Sequence, residues 1–226
     1  VYLAPETAVL RQSMARPPRR GLQGVWSLGL ERLPLSARLV KRLFDIAVSV
    51  VALTLFLPLG LVISAIIKWD SPGPVIFTQE RFGLGNRLFR VFKFRSMTHD
   101  PARQNKAIEL TQRGDARVTR IGDFLRRSSL DEFPQFVNVL LGHMSVVGPR
   151  PHPPGVKAGE RTYEEVVQDF LERYKVRPGI TGWAQVNGLR GNTFTEADLI
   201  QRFELDVQYI RHWSLVLDVW IVIKTM

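Results

Sequence analysis

Residues 46–67 form about 22 consecutive positions without a charge, enough to span a hydrocarbon layer. Pro58 sits near the middle of this run and Gly60 follows it. Proline removes one helical hydrogen bond and clashes with the preceding turn, so a break or kink is expected there. Both flanks are basic, with Arg38, Lys41 and Arg42 before the run and Lys68, Arg81, Arg87 and Arg90 after it. The positive-inside bias therefore gives no direction of crossing. A plain spanning helix and a helix bent at Pro58 that enters and leaves on one face both remain open from pattern alone. A buried soluble helix fits less well, because few are apolar all round.

Beyond the run the periodicity shortens. Residues 75–79 and 87–95 have strand character, and Gly83-Leu84-Gly85-Asn86 between them is a turn sequence. On the second strand Lys93 and Arg95 would share one side. Residues 118–128 and 133–141 space their apolar positions as helices do, and Gly142 is a natural stop. Residues 162–175 read as an amphipathic helix ending before Arg177-Pro178-Gly179. A glycine-rich loop follows, and residues 204–226 read as an apolar, aromatic tail suited to an interfacial helix. A helix packed into the core is the alternative for that tail. Residues 1–40 show little periodicity and read as a poorly structured basic lead-in. The first residue is Val1 rather than Met, so a fragment and a processed form both stay open.

Composition narrows the partners. The 226-residue chain carries a formal charge of +10, so an anionic partner is expected: nucleic acid, an anionic membrane or phosphorylated substrates. Neither a ribonucleoprotein strand motif nor a helix-turn-helix with a basic recognition helix can be found, which argues against nucleic acid. Cysteine is absent, which excludes disulfides, zinc-thiolate sites and a cysteine nucleophile. His99, His143, His152 and His212 are scattered without metal-ligand spacing.

Three stretches could carry chemistry. In Ser129-Leu130-Asp131-Glu132-Phe133-Pro134-Gln135, proline suits the first turn of a helix, and Ser129 and Glu132 have capping-box spacing. Asp131 and Glu132 would then lie in a first helical turn, as caps, as a phosphorus nucleophile or as magnesium ligands. In Val147-Gly148-Pro149-Arg150-Pro151, flanking prolines aim an arginine whose planar fork suits phosphate. Lys93-Phe94-Arg95-Ser96-Met97 could set two cations against a diphosphate. A cap, a solvated turn and a solvated strand face are the respective alternatives.

Taken in order, these motifs resemble a known family. Lys41-Arg42-Leu43-Phe44-Asp45 precedes the proline-containing run. Ser71-Pro72-Gly73-Pro74 and Gln79-Glu80-Arg81-Phe82-Gly83 come next, then the three stretches above, then Arg177-Pro178-Gly179-Ile180-Thr181-Gly182-Trp183-Ala184-Gln185-Val186-Asn187-Gly188. Over residues 41–226 the set resembles the bacterial sugar transferases, monotopic polyprenyl-phosphate phosphoglycosyl transferases that initiate exopolysaccharide or O-antigen synthesis. The extra N-terminal membrane region of longer members is expected to be absent from this chain. The resemblance implies an α+β, mainly helical fold: a re-entrant membrane helix at 41–70, bent at Pro58, and a catalytic domain at 71–226 with a small β-hairpin and interfacial amphipathic helices. It places the protein on the cytoplasmic face of the inner membrane.

The implied substrates are a UDP-sugar, carrying glucose or galactose, and undecaprenyl phosphate. Asp131 would attack the β-phosphorus, UMP would leave, and the lipid phosphate would take the sugar phosphate from the enzyme. Glu132 completes an acid dyad as metal ligand or proton acceptor. Mg2+ at Asp131 and Glu132 would neutralise the diphosphate. Lys93, Arg126 and Arg150 match the family's phosphate-site cations, with Arg95 beside them on its strand. A membrane-bound phosphatase and a non-enzymatic lipid-binding scaffold are the rival functions, and homo-oligomerisation is left open.

Overall fold

A computed structural model describes residues 33–99, 114–167 and 169–225. In chain order these hold α1 (Leu35–Asp70), β1 (Ile76–Phe82), β2 (Leu88–Phe94), α2 (Arg120–Ser128), α3 (Gln135–Leu140), β3 (Ser145–Val147), β4 (Lys157–Ala158), β5 (Arg161–Thr162), α4 (Tyr163–Val166), β6 (Gly179–Thr181), α5 (Trp183–Val186), α6 (Glu196–Arg211) and α7 (Leu215–Thr225). The fold is mostly helical, with three two-stranded sheets among the described residues. Residues 1–32 of the expected lead-in lie outside them; from Leu35 that segment is already helix.

Helix α1 is one 36-residue element, about 54 Å long at 1.5 Å per residue. It is the one described helix long and apolar enough to cross a membrane. Helical conformation continues through Pro58 rather than stopping there. Two zones of α1 are buried, Lys41, Asp45 and Ser49 near its start and Ile63 and Ile67 near its end. The first zone is polar, and two of its three residues are paired. Lys41 Nζ lies 2.7 Å from Asp218 of α7, and Asp45 Oδ1 accepts from Ser145 Oγ at 2.8 Å and from the Val146 amide at 3.0 Å. The second zone joins Phe94 and Leu125 in a small apolar cluster. Between the zones Val51, Leu55, Leu57 and Leu61 are exposed, while Phe56 packs its ring 5.2 Å from that of Phe133.

The hairpin forms as its pattern predicts. β1 and β2 pair antiparallel from Ile76↔Phe94 to Phe82↔Leu88. Gly85 and Asn86 take positive φ in the connecting turn, the conformation such tight turns demand. Asn138 of α3 then fastens the helix to β2. Its side chain accepts from the Phe92 amide at 2.9 Å and donates to the Arg90 carbonyl at 2.8 Å. β3 and β6 pair in parallel, Ser145 opposite Gly179 and Val147 opposite Thr181. The next residue after β3 must approach β6 closely: a Cβ on Gly179 would sit 2.1 Å from the Gly148 nitrogen.

Two expected helices come out differently. Residues 162–175 are not one amphipathic helix but α4, with a Thr162–Glu165 capping box, and then a separate 3₁₀ segment, Phe170–Lys175. Phe170, Arg173 and Tyr174 of that segment are buried, and seating all three overrides the regular period. The tail is also two helices, with the chain turning at His212. In α6, Phe203, Asp206, Val207, Tyr209 and Ile210 are buried, so this half is a core helix. α7 keeps several large apolar side chains in the open, among them Val216, Trp220 and Ile223, where α6 keeps Ile200.

Candidate active site

The acid pair sits on a single 3₁₀ turn, Leu130–Glu132, between α2 and α3. The capping box expected from Ser129 and Glu132 does not form. Ser129 instead ends α2 in the left-handed region, with φ 58°, and its side chain caps nothing at the turn. Pro134 is the residue before α3 rather than inside its first turn. A non-glycine residue in this conformation costs about 1–2 kcal/mol. Glu132 is instead paired with two cations.

Glu132 Oε1 lies 2.6 Å from Lys93 Nζ on β2. The same oxygen accepts from Arg150 Nη2 at 2.6 Å, and Oε2 accepts from Nη1 at 3.2 Å, a two-pronged pair. Burial alone would raise the Glu132 pKa, but Arg150 and Lys93 outweigh it and hold the carboxyl well below its usual range. Glu132 in turn raises Arg150. Lys93 is pushed down, by burial first, with Glu132 opposing.

Asp131 differs in every respect. It is 9% exposed and accepts no hydrogen bond from the described residues. Burial raises its pKa; the charges of Lys93, Arg126 and Arg150 oppose that shift, and Glu132 adds to it. Asp131 is thus a nearly buried carboxylate, free of direct partners, in the field of three cations. Arg126 acts on it from the last turn of α2.

Of the expected site residues, the structure brings together Lys93, Arg126, Asp131, Glu132 and Arg150. Arg95 is elsewhere. It follows the end of β2, is buried, and donates to the Ile67 carbonyl at 3.1 Å, the Ser71 carbonyl at 2.6 Å and the Pro72 carbonyl at 2.8 Å. A cation bonded to a carbonyl in the last turn of α1 and to the two carbonyls that follow it acts as a helix cap, so Arg95 serves here as a clamp on the end of α1 and does not join the charges around Glu132. Pro58 lies within α1.

Four residues enter that sequence reasoning assigned no role. Arg81 donates to the Pro151 carbonyl at 2.6 Å and to Gln79 at 2.8 Å. With Val91, Lys93, Gln135, Arg150 and Pro151 it lines a cleft behind Glu132. Arg173 and Tyr174 hold the backbone at Arg150. Arg173 donates to the Arg150 carbonyl, while being paired with Asp206 at 3.0 Å and stacked 4.6 Å over Phe170. The Tyr174 hydroxyl lies 3.1 Å from the same carbonyl. The motif Arg177-Pro178-Gly179 thereby follows a segment that holds Arg150 in place.

His152 closes this support. Its Nδ1 lies 2.8 Å from the Tyr174 hydroxyl and its Nε2 3.1 Å from Glu164. Four aromatic rings, Phe82, Tyr163, Phe170 and Tyr174, surround it. With the ring neutral and its proton on Nε2, Nε2 donates to Glu164 and Nδ1 accepts from the Tyr174 hydroxyl, whose single proton is then shared with the Arg150 carbonyl. Burial lowers its pKa from 6.5 to about 4, against the opposing bond from Glu164. Between those values the unfolded chain binds a proton that the folded chain refuses. Stability from this residue is therefore complete above pH 6.5 and is lost as pH falls toward 4. The expected loss is about 3 kcal/mol. Thermal unfolding in detergent between pH 7.5 and pH 4.5 should show a falling midpoint, and His152→Gln should flatten the slope above pH 5. An unchanged slope in that variant would contradict the assignment.

No group of three or more histidine or acidic side chains is placed to hold a metal among the described residues. Magnesium needs fewer protein ligands, because it keeps waters and binds substrate phosphates beside one or two carboxylates. Asp131 fits that requirement. Glu132 fits it poorly, since both its oxygens are engaged by Lys93 and Arg150.

Comparison with known proteins gives the family. Residues 36–226 match the model of the family described as bacterial sugar transferase. The chain is 50% identical over 199 residues to an undecaprenyl-phosphate glucose phosphotransferase of Komagataeibacter xylinus, covering 87% of this chain and 37% of that protein. It is 45% identical over 207 residues to a UDP-glucose:undecaprenyl-phosphate glucose-1-phosphate transferase of Escherichia coli K12, covering 91% of this chain and 44% of that one. It is 46% identical over 187 residues to the exopolysaccharide production protein PSS of Rhizobium leguminosarum bv. phaseoli, covering 83% of this chain and 93% of the relative. The chain thus spans less than half the length of the first two.

Proposed function

The chain belongs to the bacterial sugar transferase family, and on that premise we propose that it transfers glucose 1-phosphate from UDP-glucose to undecaprenyl phosphate. The observation that carries this reading is the contrast within the acid pair. Glu132 is fully engaged by Lys93 and Arg150, whereas Asp131 is ionisable, unpaired and faced by cations. The names of the Komagataeibacter and Escherichia relatives support the choice of sugar and lipid.

In this reading an Asp131 oxygen attacks the β-phosphorus of the sugar nucleotide. The bond to the bridging oxygen breaks, UMP leaves, and an aspartyl phosphosugar remains. The lipid phosphate then attacks the same phosphorus and releases the Asp131 carboxylate, forming the diphosphate-linked sugar. Lys93 and Arg150, held in place by Glu132, and Arg126 from α2 stabilise charge on the phosphoryl oxygens. Burial of Asp131 weakens its solvation and leaves its oxygens available. Magnesium, with Asp131 as its protein ligand, would neutralise charge on the diphosphate.

The packing of α1 supports a location. Both buried zones of this helix, and Phe56 between them, pack on the body that carries the acid pair. A helix whose two ends serve one body favours entry and exit on a single membrane face, the cytoplasmic one where the nucleotide is found. A bend at Pro58 would deepen such an insertion. Trp69, 91% exposed at the end of α1, and Trp220 on α7 suit the interfacial depth. Cysteines introduced at residue 39 and residue 69 should both react with a membrane-impermeant thiol reagent from the cytoplasmic side only. Labelling of the two from opposite sides would establish a spanning helix.

The activity is tested by incubating the full chain with undecaprenyl phosphate and a panel of UDP-sugars. UMP release that requires the lipid, with UDP-glucose preferred, is expected. Lipid-independent release of free sugar phosphate would point to a phosphatase, and preference for another sugar would correct the substrate alone.

A further inference from the structure

The cleft behind Glu132 contains two buried donors with nothing to donate to. Arg81 Nε and Gln135 Nε2 have no hydrogen-bond partner, and both side chains line the cleft with Lys93 and Arg150. Gln135 is 2% exposed. An unsatisfied buried donor costs about 1–3 kcal/mol, so two in one place call for an acceptor that arrives from outside. The cleft is narrower than a water molecule at rest, so solvent does not supply it. An entering group has to displace a side chain, and Gln135 is an uncharged side chain with no bond to break.

The charge balance identifies the class of acceptor. Arg81, Lys93 and Arg150 bring three cations to the cleft, and Glu132 pairs with only two of them. Arg81 bonds to a carbonyl and an amide instead, and burial together with Arg150 pushes its pKa down to about 10. The surroundings therefore carry donors and excess positive charge, which fits the terminal oxygens of a phosphate.

We infer that Arg81 and Gln135, with Lys93 and Arg150, form a phosphomonoester subsite used by both half-reactions. The inference rests on the proposed two-step transfer. In-line displacement puts the leaving oxygen opposite the attacking Asp131 oxygen. In the second step Asp131 is the leaving group, so the incoming oxygen must approach from that same opposite side. The departing UMP and the arriving lipid phosphate, both phosphomonoesters, therefore occupy one place in turn. A single set of donors serves both, and UMP must vacate it before the lipid phosphate can enter.

The test separates the two occupants. Exchange of labelled UMP into UDP-glucose, without lipid, reports the first step, and the KM for undecaprenyl phosphate reports the second. Gln135→Leu removes the unpaired donor, and Gln135→Glu keeps the shape but sets a carboxylate among the cations. Both variants should keep the wild-type thermal midpoint or exceed it. Each should raise the apparent KM for UMP in exchange and the KM for the lipid phosphate by about tenfold or more, Gln135→Glu the more severely. A rise in only one KM would overturn the sharing, and a rise in neither would overturn the subsite. Loss of both activities with a collapsed midpoint in both variants would make Gln135 a packing residue and overturn it too. Absence of UMP exchange in the wild type would instead overturn the two-step transfer itself.

Discussion

Asp131→Asn should reduce UMP release by about 10³-fold or more, the loss expected when a covalent nucleophile is removed, while the protein remains folded and membrane-bound. The amide has nearly the shape of the carboxylate but does not attack phosphorus. The folding outcome follows from the surroundings. Burial disfavours the Asp131 charge, and no hydrogen bond from the described residues rewards it. Neutralising this side chain removes a desolvation penalty and costs only long-range attraction to Lys93, Arg126 and Arg150. The thermal midpoint should therefore stay level or rise. Unchanged turnover in this variant would remove Asp131 from the chemistry.

Glu132→Gln should behave in the opposite way toward heat. Its carboxylate is the counter-ion of both Lys93 and Arg150, and all three groups are largely buried. Removing the central charge leaves two neighbouring cations facing each other. Loss of one partner from a buried pair costs about 3–5 kcal/mol; residual solvent access to these side chains reduces the expectation to about 2–3 kcal/mol. Activity should fall as well, because Lys93 and Arg150 lose the group that fixes their direction. Denaturant or thermal unfolding of the two variants side by side checks both statements. Equal destabilisation by Asp131→Asn and Glu132→Gln would show that the acids share one role.

How much of this was legible in the sequence depends on the distance over which each feature is set. The hairpin was legible because its turn residues, Gly85 and Asn86, carry the positive φ within the turn itself. The long apolar helix was legible from composition. The Asp131–Glu132 pair was located by the ordered motifs, but the division of labour was not, since it depends on β2 and the chain after β3 delivering Lys93 and Arg150 to one carboxylate. Strand alternation suggested that Arg95 would join Lys93. Instead Arg95 lies beyond β2, where the carbonyls of Ile67 at the end of α1 and of Ser71 just past it take its guanidinium.

The tail shows a similar limit. Its sparse charges suggested a helix lying at an interface, yet Asp206 and Asp218 are interior partners of Arg173 and Lys41. A charge with a buried partner far away in sequence looks the same, read along the chain, as one facing water. Residues 162–175 were misread for a related reason: an apolar period of helical length was broken to seat Phe170, Arg173 and Tyr174 around His152 and the Arg150 carbonyl. Arg81 and Gln135 stood within quoted motifs, but only their unpaired nitrogens in the folded chain set them apart.

The covalent step is the central claim, and intact-protein mass spectrometry tests it most directly. The full chain is incubated with UDP-glucose and magnesium in the absence of any lipid phosphate, then quenched and weighed. The wild type should gain the mass of one hexosyl phosphate, located by fragmentation to the peptide containing Asp131 and discharged when undecaprenyl phosphate is added. Asp131→Asn should gain none. Lipid-dependent turnover by a wild-type protein that never carries this mass, under conditions where UMP is released, would mean direct transfer from nucleotide to lipid and would contradict the aspartyl intermediate.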